Sequence, residues 1–168
     1  MPVAQVLRYP HPLLKRRCRP LELPTERELA ERVARDVVDT MRAQPGCVGL
    51  AAPQLGELVR LVAIDVTGHR KARSCRGLVV LVNPELVRAE GDELGREGCL
   101  SIPDLTANVR RATIVAVEAV TPEGEPVSFE ADAFEARVIQ HELDHLEGVL
   151  FLDRVASRQD LFRRQTYR

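Results

Sequence analysis

Two histidines that could share one metal ion stand in the segment His141-Glu142-Leu143-Asp144-His145. Side chains four residues apart on a helix point the same way, so both imidazoles can reach one ion. Glu142 lies between them without having to bind the ion, which suits a carboxylate that handles the proton of an activated water. The alternative interpretation is a helix whose two partly buried histidines pair with neighbouring carboxylates. The spacing therefore predicts a hydrolytic metal site or a purely structural pair.

A catalytic site of this kind usually has three protein ligands, so a third is expected elsewhere in the chain. Cys99 is the candidate, because it follows Gly98 in a segment where the backbone can approach closely. One thiolate with two imidazoles leaves a position for water. Composition alone favours a different role for Cys99, that of a small buried hydrophobic side chain.

The elements that must position these residues follow a helix, strands, helix pattern. Apolar residues at helical spacing behind a capping-box pattern at Thr25 and Glu28 predict an amphipathic helix over 25–43. The second helix carries the histidines, is apolar on two sides and ends at Gly148. A short surface helix is predicted over 156–165. Valine-rich runs predict strands over 59–66, 78–87 and 112–120, with a hairpin return over 126–130.

This pattern predicts an α+β fold, with mixed or antiparallel β-sheets packed around a central metal-binding helix. The 168 residues are 45% hydrophobic and 29% charged, which allows a substantial core, and we expect a single domain over 1–168. The net charge of −1 argues against an extended nucleic-acid-binding face. No apolar run is long enough for a membrane span, and the start shows no secretory pattern, so a cytoplasmic location is expected.

Most remaining candidates for chemistry have simpler interpretations. His11, between two prolines, and His69, in an unusually basic segment over 67–77, are expected to be solvated loop residues. The other three cysteines form no closely spaced pair and are expected to be free thiols.

Three segments taken together closely resemble the peptide deformylases. That family carries a Gly-x-Gly-x-Ala-Ala-x-Gln segment, a Glu-Gly-Cys-x-Ser segment and a His-Glu-x-x-His segment, which correspond here to residues 47–54, 97–101 and 141–145. The resemblance extends from residues 7–10 to residues 148–154. It implies a metal-dependent hydrolase that removes the formyl group from the N-terminal formylmethionine of newly made polypeptides and releases formate.

The resemblance also implies roles for individual residues. Glu142 would be the general base and acid, and Gln54 and the backbone N–H of Leu100 would donate to the oxyanion. The ion would be divalent, natively Fe2+, with Zn2+, Ni2+ or Co2+ as common replacements. Its ligands would be Cys99, His141 and His145. The backbone of Gly49 would hold the substrate, and the methionine pocket would be walled by Val48, Phe134 and Val138. Glu97 and Arg111 would form an ion pair behind the cysteine loop.

Two positions depart from the family pattern. Cys47 stands where the first glycine is usual, and we interpret it as a small buried side chain rather than a second ligand. Thr106 stands where many bacterial members have an arginine that contacts the peptide. The preference for residues beyond methionine is therefore open.

Competing functions remain to be weighed. A zinc peptidase would need a third ligand after His145, where only Glu147, Asp153 and Asp160 are available. A non-enzymatic metal-holding or ribosome-bound protein would need neither Gln54 nor Glu142. A specialised deformylase could act on some other formylated amine. The expected partners are formyl-methionyl nascent peptides and, through the basic stretch over 158–168, the ribosome surface.

Overall fold

The computed structural model describes residues 3–164 and has the α+β fold that the sequence predicts. Two helices pack with a five-stranded and a three-stranded antiparallel sheet. The helices are α1 (Arg27–Ala43) and α2 (Ala133–Leu146). The strands are β1 (Gly49–Ala51), β2 (Leu61–Ile64), β3 (Val79–Glu90), β4 (Glu93–Cys99), β5 (Ile102–Arg111), β6 (Ile114–Val120), β7 (Pro126–Asp132) and β8 (Leu161–Arg163).

Helix α2 lies between the two sheets. The larger sheet has the strand order β1-β2-β3-β6-β7, and the smaller has the order β4-β5-β8. Apolar residues of α2 such as Ile139 and Leu146 join the core formed with the larger sheet. Polar residues of α2 form hydrogen bonds with the smaller sheet. His141 is bonded to Glu97 of β4, and Asp144 accepts from Arg111 of β5. One helix therefore connects both sheets.

The start of α2 is held by the basic segment over 67–77. Asp132, the residue before the helix, accepts a hydrogen bond from the backbone N–H of Ser74 at 2.9 Å. Glu135 in the first turn is 1% exposed and accepts from the Ser74 hydroxyl and from the backbone N–H of Arg76, both at 2.8 Å. The segment is therefore more than a charged loop, because its hydrogen bonds fix the position of the start of α2.

Several local predictions are corrected. Helix α1 is confirmed, but the capping box is not, because Glu26 precedes the helix and its carboxylate accepts from Arg19 instead. The helix predicted over 156–165 is wrong. Arg158–Asp160 is a 3₁₀ turn, and β8 follows it because β5 offers a free edge with which Leu161–Arg163 can pair. Residue 165 lies outside the described residues.

The two isolated histidines are also less solvated than predicted. His11 is half-buried, and its Nδ1 accepts from the backbone N–H of Leu13 at 3.2 Å. His69 is half-buried against an aromatic ring of the site described below. Among the described residues, no helix is long and apolar enough to span a bilayer.

The end of α2 generates a stability prediction. Gly148 has a φ of +72°, and a Cβ there would lie 2.5 Å from the carbonyl oxygen of Lys15. Gly124 has a similar φ of +89° but open space around it, so it serves as a matched control. Gly148→Ala is expected to lower the free energy of unfolding by about 3 kcal/mol, and Gly124→Ala by about 1 kcal/mol. Urea denaturation at equal metal content measures both, and equal losses would contradict the steric argument.

Candidate metal centre and substrate cleft

Three buried side chains from different parts of the chain meet at one point. Cys99 comes from the end of β4, and His141 and His145 come from successive turns of α2. Their ligand atoms all lie within 4.8 Å of one another. The Cys99 Sγ is 3.5 Å from Nε2 of His145. The fold therefore brings the three predicted ligands together.

A buried carboxylate sets the orientation of one of these imidazoles. Oε1 of Glu97 lies 2.8 Å from Nδ1 of His141, which leaves the Nε2 of that ring for an ion. Arg111 donates two hydrogen bonds to Glu97, at 2.8 and 2.9 Å, and Arg137 donates a third at 2.8 Å. Burial would raise the pKa of Glu97, but the hydrogen bonds from Arg111 and His141 outweigh it and hold that pKa well below its usual range.

The Arg111 side chain extends this network along α2. Its Nη1 donates to Asp144 at 2.6 Å, and Asp144 also accepts from Arg154 at 2.5 and 2.9 Å. The predicted pair of Glu97 and Arg111 is thus part of a larger set of alternating charges. Arg137 lies one turn before His141 on α2, and that spacing was a signal that the sequence interpretation missed.

The donor set fits a divalent metal ion. One thiolate with two imidazoles is a donor set that binds zinc or iron, and the carboxylate behind His141 is the partner that such a ligand usually has. The buried atoms Nδ1 of His145 and Oε2 of Glu142 have no hydrogen-bond partner within the described part of the chain. A buried carboxylate oxygen without a partner is costly unless the working site supplies one.

Glu142 lies in a dry environment beside the two histidines. It is 4% exposed, and burial raises its pKa to about 7. A carboxyl group with that pKa can both take up and release a proton near neutral pH.

The side-chain amide of Gln54 has a fixed orientation. Its Oε1 accepts from the backbone N–H of Ala51 at 3.0 Å, so its NH2 group must point the other way. That Nε2 donates to the Ser101 hydroxyl at 3.0 Å and lies 3.5 Å from the Cys99 Sγ. Gln54 therefore presents donors, not acceptors, to the centre.

A cleft opens from this centre and brings the other predicted site residues together. Gly49 allows the backbone of β1 to approach α2 closely, because a Cβ at this position would lie 2.9 Å from Oε1 of Glu142 and 3.0 Å from Cγ1 of Val138. Phe134 stacks on His69 with 3.8 Å between ring centroids. The solvated interpretation of His69 is wrong because this aromatic surface attracts it. The lining includes Val48, Gly49, Gln54, Leu100, Phe134, Val138, His141 and Glu142.

The lining also includes residues that were not predicted for the cleft, among them Cys47, Arg96, Arg137 and Arg164. Cys47 has an ordinary negative φ and is half-buried, and its thiol donates to the carbonyl of Gly49 at 3.2 Å. Burial raises the pKa of Cys47 to about 11, which keeps it a neutral thiol. Cysteine therefore fits where the family usually has glycine.

Comparison with known proteins places this site in a family. A sequence model described as polypeptide deformylase matches residues 3–160. The chain belongs to the polypeptide deformylase family. Members remove the formyl group from the N-terminal formylmethionine of nascent polypeptides, and the predicted function and enzyme class are confirmed.

Individual polypeptide deformylases agree with this assignment. The peptide deformylase of Desulforudis audaxviator is 40% identical over 158 residues, 94% of this chain and 96% of that protein. Peptide deformylase 2 of Vibrio cholerae is 40% identical over 153 residues, 91% of this chain and 86% of that protein.

Solved structures of polypeptide deformylases share the fold. A class I type b peptide deformylase from Acinetobacter baumannii, crystallised with Met-Ala-Ser, superimposes with a TM-score of 0.84 at 34% identity, covering 92% of this chain and all of that one. The peptide deformylase from Thermotoga maritima has a TM-score of 0.82 at 32% identity, covering 94% of this chain and all of that one.

Within the described residues, Glu147, Asp153 and Asp160 do not join the centre, so the zinc-peptidase alternative lacks its third ligand.

The Glu97 network generates a prediction about this deformylase. Glu97→Gln keeps the shape but removes the charge that faces Arg111, Arg137 and His141. We expect a loss of about 2–4 kcal/mol in the free energy of unfolding and metal affinity weakened by roughly 10- to 100-fold. Chelator competition measures the affinity. Asp36→Asn, in an exposed pair with Arg32, is the control and should change each quantity little. Wild-type affinity in Glu97→Gln would contradict the positioning role.

Proposed function

We propose that Cys99, His141 and His145 hold one divalent metal ion, and that Glu142, Gln54 and Leu100 use it to hydrolyse formyl-methionyl peptides. The convergence of the three donors at the base of a cleft carries the proposal. When bound, the ion would activate a water molecule and polarise the formyl carbonyl.

Glu142 would move the proton. Its Oε2 is buried and has no hydrogen-bond partner among residues 3–164, and a pKa of about 7 lets the carboxylate accept a proton from the attacking water. The same carboxyl group then gives that proton to the amine as the C–N bond breaks. Formate and a free N-terminal methionine are the products, and Glu142 returns to its starting state.

Gln54 and Leu100 would stabilise the charge that develops on the carbonyl oxygen. The hydrogen bond from Ala51 aims the Gln54 NH2 group into the centre, so donors are in place before the reaction begins. A neutral amide suits this role because it brings no competing negative charge. The backbone N–H of Leu100, next to Cys99, would be the second donor.

The substrate would bind along β1 with its methionine side chain between Val48, Phe134 and Val138. Strand β1 lies at the edge of its sheet, so one side of its backbone can pair with an extended peptide. The bound Met-Ala-Ser in the Acinetobacter baumannii deformylase supports a methionyl peptide as the occupant.

The native ion in this proposal is Fe2+, and Zn2+, Ni2+ or Co2+ would fit the same donors. We also propose a cytoplasmic location, because that is where formylated nascent chains are made. A single domain spanning 1–168 is part of the same proposal.

The first test is formate release from formyl-Met-Ala-Ser by anaerobically purified protein, with metal analysis of the same sample. Turnover should stop on chelation. Glu142→Ala is expected to keep one ion per chain and lose at least about 100-fold in turnover, whereas Cys99→Ala should lose both. Near-full activity in Glu142→Ala would refute its role. One ion per chain without turnover in the wild-type protein would refute this substrate class.

A second prediction concerns Gln54. Gln54→Glu is nearly isosteric but replaces the donor by an acceptor, so kcat should fall roughly 100- to 1,000-fold with the ion retained. Ser101→Ala, which removes only the hydroxyl that accepts from the Gln54 Nε2, is expected to cost much less. Equal effects of the two substitutions on kcat would argue against oxyanion stabilisation by the amide.

We also propose that the basic stretch over 158–168 contacts the ribosome. Arg158 and Arg163 are exposed on the C-terminal segment, while Arg168 lies outside the described residues. Replacing both with alanine leaves the β8 backbone pairing intact, unlike deletion of the segment. Salt-sensitive co-sedimentation with ribosomes should be lost in the double variant and kept in Arg35→Ala on α1. Unchanged co-sedimentation of the double variant would contradict the proposal.

A further inference from the structure

The smaller sheet contributes to the lining of the cleft through Arg96 of β4 and through Arg164, the residue that follows β8. Thr106 of β5 pairs with Phe162 of β8, and Arg96 of β4 pairs with Asn108 of β5. Side chains two residues apart on a strand share a face, so Arg164 continues the row begun by Phe162. The backbone N–H of Arg164 donates to the Asp104 carbonyl at 2.9 Å, which fixes its position beside β5.

Two of the three arginines at the cleft are already engaged by the protein. Arg137 donates to Glu97 and to the carbonyls of Val109 and Glu93, at 2.7–2.8 Å. Arg96 stacks on the Phe162 ring at 3.7 Å from its centroid. Arg96 also donates to Asn108 at 3.0 Å and to Thr106 at 3.3 Å.

Arg164 differs from both. Its side chain is exposed and has no acidic partner or hydrogen-bond acceptor within residues 3–164, yet it lines the cleft. The guanidinium occupies the space that Gly98 leaves, since a Cβ on Gly98 would collide with Nη2 of Arg164. Gly98 immediately precedes the ligand Cys99, so this charge lies next to the metal centre rather than on a remote surface.

We propose that Arg164 is a specificity-determining residue that binds the substrate beyond its formylmethionine and favours acidic side chains there. The inference rests on the proposed function, because that places the peptide in this cleft. A guanidinium offers a planar set of donors that matches a carboxylate, and Arg96, which lines the same cleft, adds to the positive potential. A lysine side chain at the same substrate position meets repulsion instead.

The test uses three amidated peptides, formyl-Met-Ala-Asp, formyl-Met-Ala-Ser and formyl-Met-Ala-Lys, so that no terminal carboxylate competes. For the wild-type protein, kcat/KM should be about 5- to 10-fold higher for the aspartyl than for the lysyl peptide, mainly through KM, and the ratio should shrink at high salt. Arg164→Ala should bring the ratio near one, and Arg164→Lys should keep part of it.

Arg110→Ala is the matched control, because Arg110 is an exposed arginine of the same sheet that faces Asp92 outside this cleft. It should leave the ratio unchanged. An unchanged ratio in Arg164→Ala, or a rise in kcat/KM for all three peptides that marks Arg164 as an obstruction, would overturn this inference alone. Failure of the wild-type protein on formyl-Met-Ala-Ser would overturn the proposed function as well.

Discussion

The buried charge of Glu97 connects the parts from which the site is built. Its carboxylate receives Arg111 from β5, Arg137 and His141 from α2, and itself belongs to β4. A buried carboxylate is tolerated only when its charge is compensated and its lone pairs are occupied. The hydrogen bonds and ion pairs of Glu97 therefore fix the position of α2 against the smaller sheet. Cys99 follows Glu97 by two residues on the same strand, so its position is fixed as well.

The site needs this fixation because its ligands come from two separate cores. The apolar face of α2 packs on the larger sheet, whereas Cys99 belongs to a cluster with Ile102 and Phe151 on the other side. Hydrophobic packing is weakly directional and allows one element to shift along another. The two hydrogen bonds from the Arg111 guanidinium to the Glu97 carboxylate, at 2.8 and 2.9 Å, do not allow such a shift. Packing brings the two halves together, and the Glu97 network sets their register.

Features that depend on neighbours along the chain could be predicted from the sequence. The histidine spacing is of this kind, and so is the role of Gly148, which has a positive φ two residues after α2 ends at Leu146. Some features decided by distant partners were missed. The residues over 156–165 predict a helix from their own pattern, but part of this segment pairs with the free edge of β5 and forms β8. His69 has polar neighbours in sequence, and only the fold places Phe134 beside it.

Two glutamates within one small centre have opposite electrostatic environments. Glu97 receives hydrogen bonds from two guanidinium groups and an imidazole, so it stays ionised and fixes the orientation of the His141 ring. Glu142 is as deeply buried, but one of its oxygens has no partner among the described residues, and its pKa rises to about 7. Environments that separate two carboxyl pKa values also separate their roles. In the mechanism that we propose, a helix that carried both histidines but left Glu142 paired with Arg111 would still hold the ion, yet it would lack a carboxylate free to move the proton of the attacking water.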